Sequence, residues 1–393
     1  MVTFVKNHYI CNAAVLVILF ALMAGCVSQP STPKKTAAGP VFYPPPPEAP
    51  RYQFLTSFKG AEDFDTKASG MNSFLGSRQA EKEQIKKPYG VIIRNGVIYV
   101  GDTTTGIFEF DLVNKKFLAF KGSKGMGKIV TPINISTDMG GNTYVCDPDR
   151  KQVLQYDKND FFIRAFSNPE PWKPVDAEVF EGKLYVADST GGTGGIKVFD
   201  QKTSKLLQTI GVTGPPEQRL GIAVNLAFDK DGFLYVVDAH KFMVMKYDRD
   251  GHYRASLGGP GDSPGFFGRP RGIAVDRAGR MYVVDAAFDV VQVWASTGQL
   301  LTYFGNEKDV PGALTLPAGI FLDYDNVALF KQYAAPGFEI EYLILVTSQF
   351  NTTQVVNVYG YGKMQGVKYK SDTKLYQEML ERLEREKSKK TQQ

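Results

Sequence analysis

Three polar residues interrupt otherwise apolar segments of this chain at one recurring position. Asn134 and Asp176 stand two residues after a proline, and Asn225 stands at the same place in a segment that has Ala223 instead of proline. Amide and carboxylate oxygens are the ligands that Ca²⁺ prefers, so three such groups brought together would suit a calcium ion. However, no glutamate stands at an equivalent position, and glycine occupies it in three further segments. Tight turns therefore explain the same pattern as an alternative.

The remaining side chains exclude several kinds of chemistry. Once a predicted signal sequence is removed, His240 and His252 are the only histidines, which is too few for a three-histidine zinc site within one chain. The sequence has no Cys-x-x-Cys-His motif for covalent haem, no P-loop, no Gly-x-Ser-x-Gly elbow and no Rossmann fingerprint. Arg271 places a positive charge beside the recurring Asn/Asp position, where it is a candidate for binding an anion.

A second recurring motif, Tyr-Val-x-Asp, ends in an aspartate in each of five repeats. A side chain that recurs once per repeat, at the end of a strand, most simply accepts hydrogen bonds from backbone N–H groups of the following turn. Five equivalent groups spread around a ring cannot converge on one ion. We therefore predict a structural role for Asp102, Asp147, Asp188, Asp238 and Asp285.

These motifs lie on a repeated four-strand unit that is best preserved at residues 269–306. Its short apolar runs are separated by turns rich in Asp, Gly and Ser, and they cover residues 273–275, 281–284, 290–294 and 300–304. Such a unit predicts an antiparallel meander, which cannot bury both of its faces alone. Similar units recur past residue 87, so each meander can pack against the next.

A sixth unit is degraded, and its fourth strand is missing from the expected place. Its first three strands match residues 317–323, 343–348 and 355–359. An enlarged insert, 325–341, separates the first two of these strands. Residues 51–60 match the fourth strands of the other units, so an N-terminal strand can complete the last unit and close a ring. The sequence therefore predicts an all-β fold, a six-bladed β-propeller over residues 51–362.

The sequence motifs of the repeats resemble those of a known family. The proline-led first strand, the glycine turn, Tyr-Val-x-Asp and linkers such as 258–268 before Pro270-Arg271-Gly272 resemble NHL repeats. The resemblance covers residues 51–362 and implies the fold rather than an activity, because propellers host hydrolases, lyases, sensors and scaffolds. Six-bladed sugar-lactone hydrolases hold calcium with a comparable Asn/Asp/Glu set. The similarity to these enzymes thus implies a calcium-dependent hydrolase as one function of the chain.

The N-terminal segment has the features of an export signal. Lys6 precedes an unbroken apolar run, 13–24, which suits a secretory signal and is too short to span a bilayer. The run ends in Met23-Ala24-Gly25-Cys26, which resembles a bacterial lipobox and implies lipidation of Cys26. A plain signal peptide or an uncleaved anchor is the alternative. Residues 1–25 are predicted to be the signal peptide.

The segment 26–50 is rich in Ser, Thr, Pro, Lys and Ala, and predicts an extended tether without a core. Val27 stands after the cysteine where aspartate would favour the inner membrane in enterobacterial sorting, so the analogy favours the outer membrane. Cys146 is then the only free thiol, and no intrachain disulfide is expected. These features predict a lipid-anchored protein of the bacterial cell envelope.

Residues 363–393 leave the propeller as a charged tail with a short amphipathic helix expected near 373–387. We expect the tail to dock weakly on the propeller, and contact with a partner or a membrane surface is the alternative. The chain carries a net charge of +5, to which the signal contributes +1 and the tail +4, so residues 26–362 are neutral. A neutral, exported propeller is a poor candidate for binding nucleic acid.

Together these features predict a binding or scaffold module for a protein or polymer of the cell envelope, with no catalytic residue and no cofactor other than Ca²⁺ in the hydrolase alternative. The expected partner surface is the face with the loops after the second strands. Basic and aromatic side chains group there, namely Arg150, Lys151, His240, Lys241 and Phe242.

Overall fold

Each of the five well-preserved repeats folds as a four-stranded antiparallel sheet. The computed structural model describes residues 39–64, 84–308, 310–351 and 353–371, together with Lys374 and Gln377. Most strands pair in chain order, because short polar turns join them. First strands of neighbouring blades contact one another, and the last blade contacts the first. The described part of Pro40–Gln393, which is one compact unit, is therefore the predicted six-bladed β-propeller.

The strands have the following bounds. Two strands precede the first blade, β1 (Phe42–Tyr43) and β2 (Tyr52–Phe58). Blade 1 consists of β3 (Pro88–Arg94), β4 (Val97–Asp102), β5 (Gly106–Asp111) and β6 (Lys116–Ala119). Blade 2 consists of β7 (Ile135–Thr137), β8 (Thr143–Asp147), β9 (Gln152–Tyr156) and β10 (Phe162–Phe166). Blade 3 consists of β11 (Pro174–Phe180), β12 (Lys183–Asp188), β13 (Gly195–Asp200) and β14 (Leu206–Ile210). Blade 4 consists of β15 (Ala223–Phe228), β16 (Leu234–Asp238), β17 (Met243–Tyr247) and β18 (Tyr253–Gly258). Blade 5 consists of β19 (Pro270–Val275), β20 (Met281–Asp285), β21 (Val290–Trp294) and β22 (Leu300–Phe304). Blade 6 contains β23 (Pro317–Asp323), β24 (Phe338–Ser348) and β25 (Val356–Met364).

The second strand of each blade is covered on both faces, which explains its continuous apolar sequence. Every residue of β8, β16 and β20 is buried, since a neighbouring blade packs against each side. The motif tyrosines are among the largest fully buried side chains, namely Tyr144, Tyr185, Tyr235 and Tyr282. Burying an aromatic side chain of this size stabilises the fold by roughly 2 kcal/mol, so the repeated tyrosine accounts for much of the packing between blades.

Blade 6 is completed by the N-terminal strand, as the sequence predicted. The order of its sheet is β1-β2-β25-β24-β23, so β2 occupies the place of the missing fourth strand. Tyr52 pairs with Tyr361 and Phe58 pairs with Val356, which joins the two ends of the propeller by backbone hydrogen bonds. β24 begins at Phe338, five residues before the predicted start, because the long third strand β25 supplies it with a partner as far as Met364.

The predicted tether is not wholly free of structure, because β1 lies within it. Phe42 pairs with Gln53 and Tyr43 with Tyr52, which adds a fifth strand to the edge of blade 6. Tyr43 is only 3% exposed and packs its ring against Phe304 and Tyr359. The expectation that 26–50 contributes nothing to the core is therefore wrong for Phe42–Tyr43. Two aromatic residues within a proline-rich segment are enough to form this strand, although the composition of the segment does not predict it.

The chain that follows β25 is fastened to the chain that precedes β2. Arg51 donates hydrogen bonds to Tyr361 Oη at 3.1 Å and to Lys370 O at 2.7 Å, and its guanidinium carbon lies 4.5 Å from the centre of the Tyr369 ring. Tyr369 Oη in turn donates to Pro50 O at 2.8 Å. This Arg51–Tyr369 latch places residues 364–371 beside the point where the chain turns from β1 into β2.

The insert of blade 6 contains the helix α1 (Val327–Phe330), which continues as a 3-10 turn, Lys331–Tyr333. Of the helix expected at 373–387 the structure describes only Lys374 and Gln377, both helical, and the remainder lies outside the described residues, as do 1–25 and Cys26. Within the described ranges, no helix combines the length and apolar character needed to cross a membrane.

Candidate functional site

The three predicted oxygen ligands hold neighbouring blades together at the axis of the propeller. Asn134 Nδ2 donates to Asp176 Oδ1 at 2.5 Å, which links blade 2 to blade 3. Asp176 Oδ2 accepts a hydrogen bond from Leu226 N at 2.7 Å, which links blade 3 to blade 4. Asn225 Oδ1 accepts one from Ile273 N at 2.7 Å, which links blade 4 to blade 5. Each side chain thus reaches the first strand of the following blade.

Glycine makes the equivalent contact at the other three blades. A Cβ atom on Gly90 would overlap Asn134 Oδ1, and one on Gly319 would overlap the carbonyl oxygen of Tyr89. A Cβ atom on Gly272 would meet the carbonyl oxygen of Ala318. The absence of a side chain therefore lets these backbones approach directly. Asn and Asp bridge three of the junctions, and bare backbone closes the other three.

Beyond this ring the axis encloses a polar cavity of about 140 Å³. Ser136 and Glu178 line it together with Asp176 and apolar residues of the first strands. Glu178 stands two residues after Asp176 on β11, so both side chains point to the same face of the strand. Ser136 Oγ is buried and has no hydrogen-bond partner among the described residues. The cavity therefore contains a carboxyl and a hydroxyl group that the fold itself does not engage.

The two acids of the cavity are hard to ionise. Burial, together with the nearby charge of Asp176, raises the pKa of Glu178 to about 8. Burial also raises the pKa of Asp176 to about 7, although hydrogen bonds from Leu226, Asn134 and Ala177 act in the opposite direction. Sequence reasoning missed Glu178 because it looked for a glutamate only at the Asn/Asp position. The strand period of two was the signal that would have found it.

The cavity offers few free ligands for a metal ion. The Asp176 carboxylate already accepts hydrogen bonds on both oxygens, so Glu178 and Ser136 are the groups that remain. Elsewhere in the described residues, Asp248, Asp250 and His252 cluster in the exposed turn between β17 and β18. There Asp248 accepts backbone hydrogen bonds from the other two residues, which is an ordinary turn stabilised by an aspartate.

Arg271 reaches from blade 5 to blade 1 across the start of blade 6. Its Nη1 lies 3.4 Å from Tyr89 Oη, and its guanidinium carbon lies 5.6 Å from the centre of the Tyr89 ring. Ala318, the residue at the matching position of blade 6, is small and leaves room for this contact. No carboxylate within the described ranges forms an ion pair with Arg271. A half-buried guanidinium without an acidic neighbour can bind an anionic group.

The predicted partner surface is only partly free. Arg150 donates to the carbonyl oxygen of Lys128, and Lys241 Nζ donates to Pro216 O at 2.7 Å and to Glu217 O at 3.1 Å. Both cations stand three residues after a motif aspartate and hold the linker that precedes their own blade. Phe242 is half-buried and packs on the core between blades 4 and 5. The two remaining candidates on this surface, Lys151 and His240, are exposed.

The motif aspartates have the structural role that the sequence predicted. Asp238 accepts hydrogen bonds from His240 N and Lys241 N in the following turn, both at 3.0 Å. It also accepts from Gly221 N at 2.6 Å and Ile222 N at 3.1 Å in the linker before its blade. The linker contacts were not predicted, because the linker is distant in sequence. Each of these carboxylates joins a turn to a linker, and all five are buried: Asp102, Asp147, Asp188, Asp238 and Asp285.

Solved structures of other proteins share this fold, although no protein-family model and no curated protein matches the sequence. A protein of unknown function from Bacteroides thetaiotaomicron is 16% identical, with a TM-score of 0.55 over 79% of this chain and 75% of that chain. A gluconolactonase from Xanthomonas campestris is 13% identical, with a TM-score of 0.52 over 83% of this chain and 99% of its own. At these identities the similarity shows a shared six-bladed β-propeller.

Proposed function

We propose that this protein is a non-catalytic binding module, held at the bacterial cell envelope by a lipid on Cys26, whose propeller binds a protein or polymer of the envelope. One observation carries the proposal. The polar residues at the axis that most resemble metal ligands, Asn134, Asp176 and Asn225, are engaged in hydrogen bonds that join the blades. Their chemistry supports a rigid ring and leaves the outer surfaces for recognition.

Arg271, Lys151 and His240 are the proposed contact points with the partner. The Arg271 guanidinium and the Tyr89 hydroxyl both provide N–H or O–H donors near the axis. Lys151 and His240 are exposed in the loops after the second strands of blades 2 and 4. Because donors and cations predominate, an oxyanion of the partner is the complementary group.

Photo-crosslinking in intact cells tests this surface. A crosslinking amino acid at His240 is expected to give a discrete adduct with one partner, whereas the same residue at Lys230 is not. Lys230 is the matched control, because it is exposed in the turn at the opposite end of the same strand, β16. Equal adducts from both positions, or a monomer from both, would contradict the proposed surface. Loss of lipid labelling in Cys26→Ser separately tests the anchor.

A second candidate function, a calcium-dependent hydrolase, is favoured by Glu178 alone. Its carboxyl group faces the axial cavity beside Asp176, where a cation would find an oxygen ligand. Since Glu178 must lose a proton to bind Ca²⁺, affinity should rise as pH increases toward about 8. Calorimetry with Ca²⁺ should then show binding that Glu178→Gln abolishes and that Glu181→Gln, an exposed control in the next turn, retains. No heat with the unchanged protein would remove this candidate.

A further inference from the structure

The linker between blades 1 and 2 differs from the other linkers in its charge. Residues 121–131 contain three lysines and no acidic residue. The linkers 167–173, 211–222 and 259–269 each contain one acidic and one basic residue. The linker 305–316 contains two acidic residues and one lysine. A positive charge is therefore concentrated at one junction of a segment, 26–362, whose net charge is zero.

The same linker exposes aliphatic side chains between its lysines. Met126 is 78% exposed and Val130 is 53% exposed, and Lys124 and Lys128 are also exposed. Gly127 and Ile129, which alternate with them, are buried. Met126 lies in the 3-10 turn Gly125–Gly127 and the chain is extended at Lys124 and Lys128, so the exposed set projects outward while Gly127 and Ile129 face the blades. We name these four exposed residues, Lys124, Met126, Lys128 and Val130, the Met126 patch.

Hydrogen bonds on the inner side of the linker hold the patch in place. Tyr156 Oη donates to the carbonyl oxygen of Gly127, within the 3-10 turn Gly125–Gly127. Ile129 N donates to Ser123 Oγ at 3.0 Å, and Val130 N donates to Asp147 Oδ2 at 2.6 Å. Met126 is therefore presented on a turn that is fastened to the core of blade 2. Transfer of such an exposed aliphatic side chain from water into an apolar phase is favourable.

We propose that the Met126 patch binds an anionic lipid surface. Lysine ammonium groups are attracted to anionic headgroups, while their methylene stems and the tips of Met126 and Val130 enter the boundary with the acyl chains. The patch has no aromatic residue, and it projects outward as a turn, whereas the binding centre of a protein partner is usually a pocket filled by an aromatic or Arg anchor. A lipid surface therefore fits better than an acidic protein.

The inference rests on the proposed function only in that the lipid on Cys26 would bring the propeller to a membrane. The two lysines and two aliphatic tips of the patch give weak binding by themselves, as a single lipid chain does. Acting together with the anchor, the patch would fix which side of the propeller faces the lipid.

Vesicle sedimentation tests the patch without the anchor when it uses residues 40–393. This segment is the compact unit and includes all the described strands, β1 and β2 among them. Binding to mixed phosphatidylcholine–phosphatidylglycerol vesicles is expected to exceed binding to pure phosphatidylcholine and to fall with added salt. Lys124→Ser with Lys128→Ser should weaken the partition on the order of fivefold for each lysine. Met126→Ser should weaken it several-fold at unchanged charge.

Met139→Ser is the matched control for Met126→Ser. Met139 is also exposed in a turn, but it follows Asp138 and lies at the opposite end of β8 from the linker contacts. Its replacement should leave vesicle binding unchanged. Three results would overturn the proposal: no dependence on phosphatidylglycerol, equal effects of the two methionine variants, or binding that depends only on the tail lysines Lys387, Lys389 and Lys390. Binding to polyglutamate without binding to vesicles would instead indicate an acidic protein. Because this experiment omits Cys26, failure of the anchor cannot change its outcome.

Discussion

Carboxylates in the propeller fall into two groups that differ in the number of hydrogen bonds they accept. The motif aspartates accept several backbone N–H groups; in Asp102, hydrogen bonds from Thr104 and Lys87 lower the pKa although burial opposes them. Glu109 and Glu178 are buried or half-buried with few donors, and burial raises the pKa of each. Folding therefore favours the ionised form of Asp102 and the protonated forms of Glu109 and Glu178.

Asp238→Ala should destabilise the propeller substantially. Four backbone N–H groups, two in the linker and two in the turn, would lose their acceptor in a buried place. We expect the free energy of unfolding in urea to fall by roughly 3 kcal/mol. Asp231→Ala, in the exposed turn at the other end of β16, is the control and should change it little. Equal stability of the two variants would show that the linker does not need this acceptor.

Glu109 should make stability depend on pH near neutrality. It is 8% exposed, its Oε1 has no partner among the described residues, and burial with the nearby charge of Asp160 raises its pKa to about 7. Its pKa is about 4.3 in an unfolded chain. The folded state therefore holds more protons than the unfolded state between these values, and stability falls as pH rises through that window.

Glu109→Gln should remove that part of the dependence. Urea unfolding at pH 5 and pH 8 is expected to show a smaller loss of stability in this variant than in the unchanged protein, by up to about 3 kcal/mol. Asp176 and Glu178 titrate in the same region, so the comparison between the two proteins isolates Glu109. An identical slope in both proteins would mean that Glu109 is ionised in the folded state at no cost.

At the scale of strands and linkers, the sequence predicts what recurs and fails where contacts are distant. The period-two apolar runs and Tyr-Val-x-Asp predicted the blades, because each blade is built from neighbouring residues. The sequence does not show that Arg150 and Lys241 are engaged within the fold, because the carbonyl groups they hold belong to residues more than twenty positions away. β1 was missed because a pairing of only two residues leaves no periodic pattern.

Tyr43 provides a test of the short strand β1. Tyr43→Ala removes a buried ring that packs on Phe304 and Tyr359, and should lower the free energy of unfolding by roughly 3 kcal/mol. Tyr43→Phe is the matched control, because the hydroxyl of Tyr43 is buried without a hydrogen-bond partner within the described part of the chain. Its removal should be neutral or slightly stabilising. If Tyr43→Ala has no effect on thermal unfolding, β1 does not contribute to the fold in solution.

At the scale of the whole molecule, the ring distributes stability among blades that cannot fold alone. β2 supplies the strand that blade 6 lacks, and Thr347 Oγ1 donates to Tyr89 O at 2.6 Å across the junction between the last and first blades. Closure of this kind leaves the first strands as short, protected edges around the axis and makes the two ends of the propeller interdependent. The sequence predicted this closure, and the location of the axial cavity follows from it. The sequence did not predict the unengaged groups Glu178 and Ser136 within that cavity.

A chain that begins at residue 59 should therefore fail to form a stable monomer. It lacks both β1 and β2, and so it exposes the edge of β25 along its pairing with Tyr52–Phe58. We expect association or loss of cooperative thermal unfolding by circular dichroism, and recovery when a peptide of residues 39–58 is added. A chain that begins at residue 39 is the control and should remain monomeric. A monomeric, cooperatively folded shorter chain would show that five complete blades suffice.

The Arg51–Tyr369 latch also determines how the propeller would respond to mechanical load. A force applied at Gly39 would first reach β1, whose two residue pairs are peeled apart one at a time. Release of residues 40–49 would lengthen the chain by about 35 Å at ~3.5 Å per residue before tension reached Pro50 and Arg51. There the latch adds the contacts of Arg51 with Tyr361, Tyr369 and Lys370, so the ring would be shielded until they break. Single-molecule pulling from residue 39 should show a small early extension, absent in a chain that begins at residue 51, and then abrupt opening of the ring.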